Sequence, residues 1–172
     1  LEYSSSSGQI GRLHDDQGRT PKLQSKRIRS LLLDPAGMLW IGTQDAGIIL
    51  FNPRSGDVSA LERGDQSGLS SNAILALYRD RTAGVWVGTD GGGVNHYDPF
   101  RYKFTHVKHV PGDSRTLSSA QVRAVCEDAS GRVWVGLLGS GVDCIDVITG
   151  DIRHFRHHPG RRVCIAPVQK KS

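Results

Sequence analysis

The feature that most constrains this chain is a tryptophan motif that returns at nearly fixed spacing. Three segments align: IRSLLLDPAGMLWIGTQDAG from Ile28, ILALYRDRTAGVWVGTDGGG from Ile74, and VRAVCEDASGRVWVGLLGSG from Val122. Each reads as an apolar strand, an aspartate, a short glycine turn, then Trp-apolar-Gly. The aspartates are Asp34, Asp80 and Asp128, the tryptophans Trp40, Trp86 and Trp134, and both series step by 46 and then 48 residues. All three tryptophans of the chain fall at the same position of the repeat. A period of roughly 20 to 50 residues marks a stacked architecture, in which each unit buries its apolar face only against its neighbours.

The linking segments repeat as well. Residues 51–58 (FNPRSGDV) resemble residues 145–152 (IDVITGDI), and the opening stretch 3–10 ends in the related Ser-Gly-Gln-Ile. Leu-Ser-Ser at 69–71 and at 117–119 leads into the next apolar strand. The chain is therefore expected to begin late in one repeat, pass through three cores and stop inside a fourth unit. In the middle repeat the predicted strands are 73–79, 85–89, 94–98 and 101–107. The turn from Asp80 to Gly84 relies on Asp to bond nearby backbone and on Gly to accept positive φ. Written as DRTAG, this turn reads as one residue longer than DPAG and DASG, and Leu137 replaces the Thr found at 43 and 89.

Four short strands per roughly 40 to 50 residues, signed by Gly and Trp, describe a propeller blade. The predicted fold is all-β, a partial β-propeller of about three four-stranded antiparallel blades with half-blade overhangs at both ends. Residues 1–26 supply an outer strand and linker of a preceding blade, and 27–72, 73–119 and 120–158 the three blades. Residues 159–172 form an irregular tail or the start of a further blade. Blades stack like sectors of a disc, so Trp40, Trp86 and Trp134 are expected as wedges filling the gap to the next blade, each removing roughly 150 to 250 Å² from water. The glycines that follow, Gly42, Gly88 and Gly136, would let neighbouring backbone approach. Three blades leave two flat apolar ends, and self-association of two copies around one axis would close them.

The pattern resembles the two-component regulator propeller repeat, carried by DPAGMLWIGT, by DRTAGVWVGTDGGGVNHYD and by DASGRVWVGLLGSGVDCID across roughly residues 3–155. Such repeats form extracytoplasmic, ligand-sensing propellers of membrane receptors, followed by a linking β-domain, a transmembrane helix and a histidine kinase or diguanylate cyclase output. The resemblance implies a periplasmic sensing fragment that is not itself an enzyme and meets a membrane only through segments of its parent. Its ligand would be a carbohydrate or another small extracellular molecule. Two other functions stay open: a propeller enzyme like the streptogramin lyases, which would need a base and a metal meeting at the ring centre, and a protein-interaction scaffold.

Composition supports turns and strands over helices, with 21 glycines and one methionine in 172 residues. No apolar run approaches the roughly 18 residues of a membrane-spanning helix. The net charge of +5 is spread along the chain apart from 153–162 and the closing lysines, which reads as a solvated surface without a nucleic-acid partner. Cys126, Cys144 and Cys164 lack the spacing of a zinc site, and the first two are expected as packed thiols. Ligand contact is expected on the face built by the loops 43–46, 89–92 and 137–140 and the connections 69–72 and 117–120. Gln44, Asp45 and Asp90 are its best-placed side chains. The Asp-Gly-Gly-Gly run lacks the helix, Lys and Ser/Thr of a phosphate loop. His96, His106 and His109, and His154, His157 and His158, are not arranged as metal ligands. No catalytic residue and no cofactor are expected, and the repeated aspartates are assigned to backbone bonding.

Overall fold

The computed structural model describes residues 2–4, 9–11, 27–99 and 103–156. The regular structure among them is entirely β. Strands β1 (Glu2–Ser4) and β2 (Gln9–Gly11) pair antiparallel, with Tyr3 opposite Ile10. Three four-stranded antiparallel sheets follow, each laid down in chain order. The first blade is β3 (Ile28–Leu33), β4 (Leu39–Thr43), β5 (Ile48–Phe51) and β6 (Val58–Leu61). The second is β7 (Ile74–Arg79), β8 (Val85–Thr89), β9 (Val94–Asp98) and β10 (Lys103–Val107). The third is β11 (Val122–Glu127), β12 (Val133–Leu137), β13 (Gly141–Ile145) and β14 (Ile152–Phe155). The first strands β3, β7 and β11 lie side by side, so the sheets fan outward from that shared inner edge. The expected tail at 159–172 lies outside the described residues.

Each inner hairpin is set by one carboxylate serving two donors. Oδ1 of Asp34, Asp80 and Asp128 accepts the amide four residues on, from Met38 at 2.9 Å, Gly84 at 2.8 Å and Arg132 at 3.1 Å. Oδ2 accepts the indole N–H of Trp40 at 3.1 Å, Trp86 at 2.8 Å and Trp134 at 2.9 Å. The aspartates thus satisfy backbone, as expected of a repeated residue, and also anchor the tryptophans. A buried indole N–H needs such an acceptor.

The three turns have equal length, which corrects the apparent insertion at DRTAG. Asp and Trp are six residues apart in every blade. The left-handed position is filled by Gly37 (φ 86°), by Ala83 (φ 69°) and by Gly131 (φ 80°). Gly84 is therefore not the residue that takes positive φ. A Cβ there would come within 2.3 Å of His96 Nε2 and 2.8 Å of Asp80 Oδ2, so this glycine makes room for His96 to reach Asp80 at 3.1 Å.

The core lies in the joints between blades. Trp40 and Ile48 of the first blade cluster with Leu69, Ile74, Val85 and Val87, and Trp40 meets Tyr97 edge-on at 5.1 Å. Trp86 and Val94 pack in the same way against Leu117, Val122, Val133 and Val135. Trp134 has no following blade among the described residues; it is half-buried and stacks on Phe155 at 5.2 Å. What approaches the motif glycines is side chain rather than backbone. A Cβ on Gly42 would lie 2.7 Å from Ile74 Cγ2, and one on Gly88 would lie 2.6 Å from Val122 Cγ1. Cys144 is buried, but Cys126 is exposed. It occupies the position where Leu32 and Tyr78 pack against the next blade, and no following blade lies against it among the described residues. Cys164 lies outside the described residues.

Candidate functional site

One face of the molecule carries the loops after β4, β8 and β12 together with the connections β6–β7 and β10–β11. Thr43 and Thr89 tie the first two loops by donating from Oγ1 to the carbonyls of Gly47 and Gly93, both at 2.8 Å. Leu137 cannot, so the third loop lacks this brace. Gln44 accepts from Arg29 Nη2 at 2.5 Å, Asp45 is exposed, and the exposed Asp90 donates its amide to Ala73 O at 2.9 Å. Gln44 and Asp45 follow the second strand of the first blade, and Asp90 that of the second.

A concave feature of this face lies beside the third blade. Seven residues separate Leu61 from Leu69, whereas nine separate Val107 from Leu117. The shorter connection is zipped to the outer strand of the second blade by Phe104 N donating to Ser67 O at 2.8 Å. The longer one curls on itself: Asp113 N donates to Val110 O at 3.1 Å, and Val110 N to Thr116 Oγ1 at 3.0 Å. Among the described residues no backbone bond joins it to β14. The space left open is a cavity of about 220 Å³ whose polar lining includes His109, Asp113, Ser114, Thr116, His154 and Arg156.

A buried charge holds this wall in place. Asp143 on β13 is fully buried, and its Oδ2 accepts Ser118 N at 2.7 Å. Its Oδ1 accepts Ser118 Oγ at 2.9 Å and His154 Nδ1 at 2.7 Å. The other ring nitrogen, Nε2, donates to Ser114 O at 2.7 Å. Both imidazole nitrogens face acceptors, which is the hydrogen-bond pattern of the imidazolium. The Ser114 carbonyl, and then Asp143, accordingly raise the His154 pKa above its ordinary value.

This Ser–His–Asp set does not form a nucleophilic relay. In a relay the serine and the carboxylate occupy opposite ring nitrogens. Here Ser118 Oγ and Asp143 share Nδ1, at 2.9 and 2.7 Å, and Nε2 is taken by a carbonyl. The arrangement is a clamp. Asp113, at the rim, is paired with Arg115 Nε at 3.1 Å, and that arginine depresses its pKa. Among the described residues no three His, Cys, Asp or Glu side chains converge as metal ligands.

The clamp is specific to the third blade. In the second, the matching register pairs the buried Asn95 with His106; Asn95 Nδ2 donates to Ser70 Oγ at 2.8 Å, and His106 turns to Gly92 O instead. In the first blade the same register holds Ile49 opposite Ala60. Ser118 falls within the connection 117–120 expected on this face, whereas Asp143 and Arg156 carried no expectation, although the series Ile49, Asn95, Asp143 at one repeat position was a visible signal. His109 and His154 line the cleft, while His157 and His158 lie outside the described residues.

Sheets of four antiparallel strands fanning from a shared inner edge define successive blades of a β-propeller. The two-component regulator propeller pattern matches residues 22–45 and 116–139, around the first and third Trp motifs. In fold it is similar to the extracellular domains of two hybrid two-component systems of B. thetaiotaomicron. The first, BT3049, is 22% identical with a TM-score of 0.68, over 76% of this chain and 18% of that one. The second, BT4673, is 22% identical with a TM-score of 0.62, over 74% of this chain and 18% of that one. The chain thus spans under a fifth of their length. A virginiamycin B lyase from Staphylococcus aureus shares the fold at 15% identity and a TM-score of 0.61, over 79% of this chain and 43% of that one. No curated protein matches the chain in sequence.

Proposed function

We propose that this chain is part of an extracytoplasmic, ligand-sensing propeller of a bacterial two-component receptor, and that the cleft beside the third blade holds the ligand. The observation that carries this reading is the departure of one joint from the repeat. A connection two residues longer than its counterpart stands off the outer strand, and a buried carboxylate–imidazolium pair fixes its distance. The cavity, about 220 Å³, is smaller than the roughly 300 to 1,000 Å³ of sites for drug-sized ligands. Its hydroxyl, imidazole and guanidinium lining suits a single sugar residue or a polar molecule of that size. In this reading the chain performs no chemistry, and the response is made by an output domain of the parent. Nothing favours a lyase: the described histidines lie on third strands, outer strands and a connection, away from the inner edge where a base and metal would meet.

The test is thermal unfolding of the chain with a panel of neutral and acidic mono- and disaccharides. A ligand at a hundredfold its Kd adds about 2.7 kcal/mol to stability. The expected result is a shift for one class of sugar, lost in Arg156→Ala without a fall in the unliganded midpoint, and lost in His109→Ala with some fall, because that ring also bonds the Leu117 carbonyl. A panel that shifts nothing, or a shift both variants retain, refutes the cleft as the site. Cellular placement is tested by fusing a reporter active only outside the cytoplasm to the parent after this region; an inactive, stably expressed fusion refutes it.

A further inference from the structure

A connection is tied to the outer strand of the blade it enters in two different ways. At the second blade the tie is backbone to backbone, Phe104 N donating to Ser67 O at 2.8 Å, and neither group titrates. At the third blade an imidazole makes it, His154 Nε2 donating to Ser114 O at 2.7 Å. The carboxylate behind that ring is also more than the repeat requires. In the second blade the buried, neutral Asn95 already holds the serine of its connection, accepting Ser70 N at 3.1 Å and donating to Ser70 Oγ at 2.8 Å. Asp143 holds the amide and hydroxyl of Ser118 from the same register, at 2.7 and 2.9 Å. The serine contact does not need a charge; His154, with Nδ1 at 2.7 Å from Asp143 Oδ1, does. A titratable pair thus stands where the preceding joint uses groups that ignore pH.

We propose that His154 is a proton-operated latch on the cleft, holding the connection against β14 when charged and releasing it when neutral. This rests on the reading of the cleft as the ligand site, and it adds that occupancy and protonation are coupled there. A neutral imidazole has one N–H for two acceptors. The N–H stays on Nδ1, because Asp143 is fully buried and would be left an uncompensated charge, whereas Ser114 is exposed and its carbonyl can turn to water. Nε2 then sets a lone pair against Ser114 O, and the two acceptors part. The titratable and charged groups that share the cleft with His154 are His109, Asp113 and Arg156, with Asp143 behind the ring. Asp113 is spent on Arg115, which grips both its oxygens, at 3.1 and 3.2 Å. The Ser114 carbonyl, then Asp143, favour the proton and prevail over burial and the like charge of Arg156. The latch is therefore closed below the ordinary 6.5 and opens as pH rises through the higher folded value. A ligand that needs the closed wall binds more tightly at low pH and, reciprocally, tightens the hold of His154 on its proton.

Nuclear magnetic resonance on the whole chain, from about pH 5.5 to about pH 9, reads the ring and the wall separately. The His154 ring nitrogens are expected to titrate above 6.5. Backbone order parameters of residues 110–116 are expected to fall through the same midpoint, from about 0.85 to below about 0.6, while those of 62–68 stay level. His154→Gln is expected to abolish the step, and Asp143→Asn, which copies the second blade, to move it to lower pH. Thermal unfolding with neutral and acidic monosaccharides at the two ends of the range gives the coupling. The sugar that shifts the midpoint is expected to bind about 5- to 150-fold more tightly at the acid end, a difference absent in His154→Gln. Order parameters that do not follow the ring, or a step that His154→Gln retains, overturn the latch, and a sugar bound equally at both ends overturns the coupling. A panel that shifts nothing at either end refutes the cleft as the ligand site, and the order parameters still decide the latch.

Discussion

Replacing Asp80 with alanine removes the acceptor for two buried donors at once. The indole N–H of Trp86, a residue 2% exposed, gives 2.8 Å to Oδ2, and the buried amide of Gly84 gives 2.8 Å to Oδ1. Each orphaned buried donor costs about 1–3 kcal/mol, so the pair together costs roughly 2–6 kcal/mol. The amide and hydroxyl of Thr82, at 2.9 and 2.7 Å, rehydrate because that residue is exposed. At roughly 2–4 °C per kcal/mol for a chain of this size, the midpoint falls by about 10 °C. The same change at Asp34 costs less, about 1–3 kcal/mol, because that carboxylate is half-buried and more accessible to water. Asp80→Asn separates bonding from volume. Whichever way the amide turns, its NH2 faces one of two N–H groups, so roughly half the cost remains. Urea titration gives the magnitudes, and the indole N–H resonances report whether Trp86 alone loses protection. A cost below about 1 kcal/mol for the alanine variant, or an asparagine variant as stable as the parent, would refute the account of the turn.

Four further outcomes are expected. Ala83→Gly relieves the left-handed strain of about 1–2 kcal/mol and adds unfolded-chain entropy of about 0.4–1, so the urea midpoint rises slightly, whereas Ala83→Val lowers it. Gly88→Val drives a side chain into Val122 and costs about 1–3 kcal/mol by overpacking, while Gly136→Val leaves the monomer's stability within about 0.5 kcal/mol. The His154 clamp has a raised pKa, so its stabilisation is full below the ordinary 6.5 and lost as pH rises through the folded value; His154→Gln flattens that limb of a stability–pH profile. Asp128 is depressed to about 2 by bonds from the Trp134 indole and Arg132, which outweigh its desolvation. Its contribution is therefore present above about pH 3.8 and lost as pH falls towards 2, a limb that Asp128→Asn removes.

The blades were legible because the repeated residues act through short-range bonds within one repeat. Asp and Trp keep their six-residue interval in all three hairpins, and that interval fixes the inner hairpin from which each four-stranded sheet grows. The misjudged turn came from measuring to the glycine rather than to the indole. Ala83 holds the left-handed position that glycine holds elsewhere, and Gly84 answers to His96 from twelve residues away. The joints were legible as apolar faces, though not that Ile74 and Val122 are the groups seated above the glycines. The cleft was not legible. Asp143 alternates with apolar residues as any solvent-facing strand position would, and its partners lie 11 and 25 residues away on β14 and on a connection.

The contrast has a physical cause. Positions that repeat unchanged serve contacts every blade must make, so a functional group placed there would break the hairpin or the joint of its blade. Positions 49, 95 and 143 lie where strand, connection and outer strand meet, and they pass from isoleucine to asparagine to aspartate without disturbing the Asp–Trp hairpins. A buried aspartate is tolerated at the last of these because His154 and Ser118 answer it fully, and removing either partner would leave a buried charge uncompensated. The cost of that arrangement falls on the third blade alone, beside the two residues that lengthen its connection. His154→Ala should therefore act twice: it destabilises the chain at neutral pH by about 3–5 kcal/mol and frees the segment 109–116 from β14. Hydrogen exchange reads both effects. Faster exchange confined to that segment and the third blade fits the clamp, whereas uniform exchange, or no change, would mean that Asp143 and His154 are ordinary core polar groups.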